Sequence, residues 1–340
     1  MQRFLATDRR AAQEDRAATS SSSTWFDLAG NRPMPCSDNP VLAVIMPALN
    51  AARTLGDALK SLIEQSVPFE AVLVDGGSCD ETVAIASAVP GVAVISAPGT
   101  SIYEAINRGI EESRAPAICL LNADDSLLPD ALATLVDALD RNPEAGIVRG
   151  WPSYVEETAA GAIAPRADAD RRAHGTLTPD LLMRGACAIN SLCIRRTTFD
   201  RIGMFDTTYR LAADRDWMLR AWRAGVSIAE IKRPVYRYLI HDGSNTMDRG
   251  KRNYAAIRRE HLAIIARYMP SGAVEPQPGF RAALRRWHAA EAAMLSVSLA
   301  RGGAWREAWN VVRRAFRIRP FWPATLVTDI VVRMRARIGT

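Results

Sequence analysis

No stretch of this chain approaches the roughly 20 consecutive apolar residues that a membrane-spanning helix needs. Cysteine is scarce and badly spaced for pairing. The five present (Cys36, Cys79, Cys119, Cys187 and Cys193) are an odd number with no CxxC pair. That pattern speaks against a disulfide framework or a zinc site and fits a reducing compartment. Residues 1–39 hold no apolar core of the kind a secretory signal carries. They are rich in Ser, Ala, Arg and Asp without periodicity, and Ser20 to Thr24 is low in complexity, so a disordered tail is expected there. Two phosphate-binding signatures are also missing. The glycines never fall in GxGxxG spacing, which excludes a dinucleotide fingerprint, and there is no GxxxxGK[ST] phosphate loop.

What remains is ordinary globular composition. The 340 residues are 48% hydrophobic and 24% charged, enough for one large or two modest domains. Charge is unevenly placed. Residues 1–250 carry 26 Lys and Arg against 32 Asp and Glu, a balance of −6, whereas residues 251–340 carry 17 against 5, a balance of +12. A basic tail on a mildly acidic body points to an anionic surface, membrane lipid or nucleic acid, as a partner.

From residue 41 a regular alternation begins. Val41 to Met46, Ala71 to Val74, Val92 to Ser96 and Ala117 to Leu121 are short apolar runs of the kind that form strands buried on both faces. Between them lie segments with helical spacing: Leu55, Ala58, Leu59, Leu62 and Ile63; Thr82 to Ala88; and Ile102, Ile106, Gly109 and Ile110. Leu132, Leu135, Val136 and Leu139 mark a further helix, with Pro129 near its first turn, and Ile147 to Trp151 a further strand. This order predicts an α/β fold with a mostly parallel sheet and helices on both faces. The pattern fades between Pro152 and Pro179, where a loop or insertion is expected. Strands at Cys187 to Arg195 and Val235 to Ile240 flank a helix from Asp214 to Gly225. From Asn253 the chain reads as helical to its end, with Trp305, Ala308, Trp309, Val312 and Phe316 forming an apolar stripe expected to be core.

Polar residues cluster where these strands should end. Leu120-Leu-Asn-Ala-Asp-Asp125 runs from a buried strand into two adjacent carboxylates. Like charges repel, and a hard divalent cation such as Mg²⁺ or Mn²⁺ is one reason to keep them together; a helix cap at Asp125 or Ser126 is the other. Asp75-Gly-Gly-Ser-Cys-Asp80-Glu-Thr82 follows the second strand, and its glycines admit a ligand close to the backbone. Asp75 sits at a strand's carboxyl end, where α/β sheets bind ligands. Pro47-Ala-Leu-Asn50 follows the first strand, and Asn tolerates unusual backbone angles. Asn107 lies on the polar side of its helix, and Asp214 and Asp216 open another, where either could cap or one could act as a general base.

Taken in this order, the segments PALN at 47–50, DGGSCDET at 75–82, SIYEAINRGI at 101–110, LLNADD at 120–125 and LAADRDWMLRAWRAG at 211–225 resemble family 2 glycosyltransferases, over roughly Val41 to Ser244. The DGGS and NADD forms are most similar to the subgroup that builds bacterial exopolysaccharides and lipid-linked glycans. The resemblance implies a GT-A (nucleotide-diphospho-sugar transferase) fold over residues 40–250, with residues 251–340 as a basic helical extension. It implies an inverting transfer that depends on Mn²⁺ or Mg²⁺. Carried over by position, Asp124 and His241 would hold the metal and Asp214 would be the catalytic base. Pro47, Asn50, Asp75, Asn107, Asn122 and Asp125 would line or support the nucleotide-sugar, while Asp216 would brace its helix or the acceptor. Ala213 stands where a Glu often precedes the base. Gly76 and Leu49 stand where many members carry an Asp that touches the nucleobase and an aromatic that stacks on it. The donor is therefore expected to be a UDP-sugar by default, with GDP or dTDP as alternatives. The acceptor is expected to be a glycan or lipid-linked glycan, reached from the cytoplasm or from the inner face of the membrane, with residues 251–340 on anionic lipid. Nucleic acid is the weaker partner, since the tail's aromatics lie on the apolar stripe. Two other readings stay open: a sugar nucleotidyltransferase, although its Gly- and Arg-rich phosphate loop is missing, and an inactive GT-A-like binding module.

Overall fold

A computed structural model describes residues 39–158, 161–183, 188–241, 253–269 and 279–318. The predicted tail at 1–39 lies almost wholly outside this range, as do Cys187 and residues 319–340.

Among the described residues nine strands form one sheet. They are β1 (Leu42–Ala48), β2 (Phe69–Asp75), β3 (Val92–Ser96), β4 (Ala117–Leu120), β5 (Ser126–Leu127), β6 (Ile147–Glu157), β7 (Ile163–Pro165), β8 (Leu192–Arg195) and β9 (Ile228–Ile240). The helices are α1 (Leu55–Ile63), α2 (Thr82–Ser87), α3 (Ile102–Glu112), α4 (Ala131–Arg141), α5 (Ala167–Ala173), α6 (Pro179–Met183), α7 (Arg196–Ile202), α8 (Ala213–Arg223), α9 (Tyr254–Tyr268), α10 (Phe280–Arg301) and α11 (Trp305–Ile318). Along the sheet the strands run β3-β2-β1-β4-β8-β6-β9-β5, with β7 paired to β6. Neighbours β1, β2, β3 and β4 are parallel, as are β6 and β9; β8, β5 and β7 run against their partners. The sheet is thus mostly parallel, with one reversed strand, β8, in its middle.

Strand geometry sends alternate side chains to opposite faces, and both faces are covered. β1 sends Ala43 and Ile45 into one apolar cluster with Ile106 and Ile110 of α3 and Trp217 of α8. It sends Leu42, Val44 and Met46 into another with Leu55, Leu59 and Leu62 of α1 and Leu132 and Leu135 of α4. Gly109 allows α3 to lie against β1, since a Cβ there would come 2.4 Å from Ile45 Cγ2. Ile264 and Ile265 of α9 and Phe280, Leu284 and Trp287 of α10 belong to the Trp217 cluster. The first two C-terminal helices therefore complete the same core.

Three expectations need correction. The segment after Pro152 is not a structureless insertion: β6 runs on to Glu157, β7 pairs back on it, and α5 follows. The strand expected from Cys187 is shorter, because Ile189–Ser191 is a turn of 3-10 helix and only Leu192–Arg195 pairs. The aromatic stripe of α11 is not core. Trp305 is 69% exposed, Trp309 63% and Phe316 44%, while Ala308 and Ala315 make the buried face. The small residues let α11 sit close to α10, which turns the wider rings outward.

Pro47 lies buried in β1, opposite Val74 of β2, an unusual place for a residue without an N–H. Its position explains the tolerance. Ile45 carbonyl accepts from Leu121 N at 3.0 Å, so the missing N–H two residues on faces the same neighbour, whose strand pairing with β1 has stopped at Leu120. The chain from Leu121 is free to peel away from the sheet, and it does so into Asn122-Ala-Asp-Asp125.

Candidate active site

The loops after β1 and β2 are laced together. Asn50 stands at φ +50°, the left-handed region that Asn enters more readily than most residues. Its backbone N–H donates to Ser78 Oγ at 2.8 Å, and its side-chain oxygen accepts from Cys79 N at 2.9 Å. Asp80 accepts from Ala52 N and Thr82 N, each at 3.0 Å, and Thr82 Oγ1 accepts from Ala51 N at 2.7 Å. Asp75 is buried and turned into its own loop, accepting from Gly77 N at 3.1 Å and Ser78 N at 3.1 Å. Asp75 and Asn50 therefore shape this platform through its backbone. Leu49 projects from it, 57% exposed, beside Gly76: a Cβ on Gly76 would stand 3.7 Å from Leu49 Cβ. The two positions at which the sequence departs from the resemblance, Leu49 and Gly76, are thus neighbours.

The two carboxylates of the acid turn part company. Asp125 is buried, and Oδ2 accepts from Tyr236 Oη at 2.7 Å and Asn122 Nδ2 at 3.0 Å, while Oδ1 accepts from Leu239 N at 2.8 Å. Burial and the adjacent Asp124 push its carboxyl well above the usual range, against the pull of those donors. Tyr236 is the hub. Its hydroxyl also receives Asn122 N at 3.2 Å and Asn190 Nδ2 at 3.0 Å, and burial followed by the Asp125 charge pushes it well above the ordinary phenol. Asp125 is the bracket beneath the turn rather than a helix cap; α4 begins after Asp130, a residue in the left-handed region with no capping side chain. Asn122 spends its amide on the same bracket.

Asp124 faces the other way. Its side chain is 32% exposed, and Oδ2 lies 2.9 Å from His241 Nε2, just past the end of β9. His241 Nδ1 is in turn 3.4 Å from Arg53 Nη2, and Arg53 Nη1 pairs with Glu157 at 3.2 Å. An oxygen and a nitrogen donor converge here at the carboxyl ends of parallel strands; the carboxylate suits Mn²⁺ or Mg²⁺, and the imidazole nitrogen favours Mn²⁺ of the two. Among the described residues no group of three or more His, Cys, Asp or Glu could hold a metal by itself. An ion at Asp124 and His241 would draw its remaining ligands from a diphosphate and water, the usual habit of Mg²⁺.

Asp214 is the second residue of α8 and is half-buried. Its Oδ1 accepts from Tyr103 Oη at 3.0 Å and Arg215 N at 2.8 Å. Tyr103 is the second residue of α3, whose start Ser101 and Glu104 cap reciprocally. Burial, then the Asp214 charge, pushes the Tyr103 hydroxyl well above the ordinary phenol, so it stays a proton donor to the carboxylate. Among the described residues Oδ2 of Asp214 makes no hydrogen bond, which leaves it as an acceptor. Asn107, expected at the donor, instead closes on the backbone of Phe205, donating to its carbonyl at 2.9 Å and accepting from its N–H at 3.1 Å. Asp216 is fully buried, joined to Arg220 Nε at 2.8 Å and Tyr268 Oη at 2.7 Å, and so braces its helix.

Sequence reasoning missed Tyr103, Tyr236, Arg53 and Glu157. Each acts through a partner far along the chain, and only the tyrosines carried a signal: a phenol on an otherwise apolar face needs a buried partner.

The family model described as Glycosyl transferase family 2 matches residues 43–203. A PGL/p-HBAD biosynthesis glycosyltransferase of Mycobacterium tuberculosis is 31% identical over 190 residues, which cover 54% of this chain and 70% of that protein. A 4,4'-diaponeurosporenoate glycosyltransferase of Staphylococcus aureus is 27% identical over 124 residues, 35% of this chain and 33% of its own. Among solved structures, S. aureus TarS 1-349 in complex with UDP-GlcNAc superposes with a TM-score of 0.57 at 16% identity, covering 88% of this chain and 92% of that one. The mannosyltransferase PcManGT from Pyrobaculum calidifontis, in complex with GDP-Man and Mn2+, gives a TM-score of 0.55 at 19% identity, with 88% and 91% covered.

Proposed function

Because the chain belongs to glycosyl transferase family 2 and has its GT-A fold, we propose that it moves a sugar, with inversion, from a nucleotide-diphospho-sugar to an acceptor hydroxyl. The observation that supports this most directly is the pairing of Asp124 with His241 at the carboxyl edge of the sheet. Those two side chains would hold Mn²⁺ or Mg²⁺, which when bound offsets the charge that develops on the diphosphate leaving group. Arg53, already 3.4 Å from His241, brings a guanidinium to the same place. Asp214 takes the proton from the acceptor hydroxyl at Oδ2, and Tyr103 holds the carboxylate by its other oxygen. Leu49 offers the nucleobase an apolar rest but no π-face, so a UDP-sugar remains the default donor and GDP or dTDP sugars the alternatives. Thermal-shift titration with UDP, GDP and dTDP, each with and without Mn²⁺, tests the donor assignment. Stabilisation by one of them that depends on the metal is expected, and no metal-dependent shift with any base would refute it.

A second reading concerns where the acceptor comes from. Trp305 and Trp309 project from α11, and Arg306, Arg313, Arg314 and Arg317 are exposed on the same helix. Indole rings beside guanidinium groups suit the interface of an anionic leaflet, where each basic residue contributes about 1 kcal/mol. We read this face as resting on membrane lipid, which would bring the site to a lipid-linked acceptor. Co-sedimentation with vesicles rich in anionic phospholipid is expected at low salt. Trp305→Ala with Trp309→Ala should weaken it by roughly a hundred-fold, since each ring that leaves water contributes on the order of 1.5 kcal/mol. Absence of binding by the unaltered protein removes this reading.

A further inference from the structure

The helix that carries Asp214 starts without a cap of its own. The first backbone N–H groups of any helix have no partner within it, and Ser, Thr, Asp or Asn normally supplies one. Here the residues before α8 are Arg210, Leu211 and Ala212, and the Ala212 methyl group can accept nothing. An acceptor for Ala212 N, and for the two amides that precede it, arrives from another helix. Glu260, midway along α9, accepts from Arg210 N at 3.0 Å through Oε1, and from Leu211 N and Ala212 N at 2.9 Å each through Oε2. One carboxylate thus takes three consecutive amides, and such charge-assisted bonds are stronger than neutral ones.

The groups around this segment bear on the same point. Tyr103 Oη, which donates to Asp214, lies 3.5 Å from the carbonyl of Leu211, between two of the amides that Glu260 holds. α9 is tied to α8 a second time where Tyr268 Oη meets Asp216 at 2.7 Å. Glu260 is therefore not needed merely to dock the two helices; among the described residues it is the side chain that takes the amides of 210–212.

We propose that Glu260 is a positioning residue for the base: by clamping residues 210–212 it sets where the Asp214 carboxylate stands relative to the acceptor hydroxyl. The proposal rests on the reading of Asp214 as the base. The C-terminal helices then complete the active site from outside the segment that the family model matches. Small displacements of a reacting group cost rate far more than binding, up to roughly a hundred-fold for about 1 Å.

The test uses the full chain, with kcat and the donor KM measured for Glu260→Ala, Glu260→Gln and Tyr268→Phe. Glu260→Ala is expected to lower kcat roughly ten- to a hundred-fold with donor KM within about two-fold. Glu260→Gln, which keeps one acceptor oxygen, should recover part of that loss. Tyr268→Phe loosens the same helix pair but leaves the clamp, so its kcat should stay near normal. If Glu260→Ala and Tyr268→Phe lose kcat in proportion to their loss in melting temperature, Glu260 is only packing and the proposal fails. Combining Glu260→Ala with Asp214→Asn separates the two readings. No further loss in the double variant supports action through Asp214. An Asp214→Asn variant with ordinary turnover would overturn the base itself, and an inactive Asp214→Asn beside an unimpaired Glu260→Ala would overturn the clamp alone.

Discussion

Asp214→Asn is expected to lower kcat by roughly 10²–10⁴, the contribution of a well-placed general base, or about 3–5 kcal/mol of barrier. The amide is nearly the same size and keeps an oxygen for Tyr103 Oη, so the helix start should survive. What it loses is the ability to take a proton at the other position. Donor binding should be unchanged, because Asp214 sits with α3 and α8, whereas the Asp124–His241 pair lies at the ends of β4 and β9. Single-turnover transfer measured beside donor affinity decides this. A variant that binds donor and turns over normally excludes Asp214 from the chemistry.

Asp124→Ala should be nearly as damaging by a different route. If Asp124 holds the cation, transfer falls roughly 10²–10³-fold, since a bound metal supplies several kcal/mol of charge stabilisation. The remaining activity should no longer respond to added Mn²⁺ or to a chelator. Folding should be spared, because the Asp124 side chain is one-third exposed and pairs only with His241 among the described residues. Asp125→Ala provides the contrast. It removes the acceptor from Tyr236 Oη, Leu239 N and Asn122 Nδ2, and each buried group left without a partner costs about 1–3 kcal/mol. Its melting temperature should drop clearly, and its activity should fall with the loss of the turn. Equal melting temperatures for the two variants would mean that the division of labour between the acids is wrong.

The buried parallel strands were legible because each is a short apolar run ending at a polar loop, as at Ala71 to Asp75 and Ala117 to Leu121. The continuation of β6 was not. Trp151-Pro-Ser-Tyr-Val-Glu-Glu157 is half-buried, alternates in exposure and contains a proline, so it lacks the continuous hydrophobicity by which the central strands declare themselves. The opening of β9 at Ile228–Arg233 failed for the same reason, with Glu230, Lys232 and Arg233 breaking the run. In the candidate site, Asp124, His241 and Asp214 could be named from their motif positions, but not the hydrogen bonds of Asn107 and Asp75, which go to backbone, or of Asn122, which goes to the Asp125 carboxylate. Spacing cannot say whether a carboxamide meets a ligand or its own loop. Glu260 was invisible for a sharper reason: its partners are three backbone amides, and backbone leaves no mark in the pattern of side chains. The rings of α11 misled because a stripe at helical spacing shows which residues share a side, not which side is covered.

Core side chains from α9 and α10 join those around Trp217. A shortened chain ending after β9 would therefore lay bare the oily seam where Ile264, Ile265, Phe280 and Leu284 now rest. The match to the family stops at residue 203, ten positions short of α8. With Asp214 as the proposed base, the minimal unit for the chemistry extends past the stretch by which its kinship is recognised, and a dissection of this protein is expected to need the later boundary.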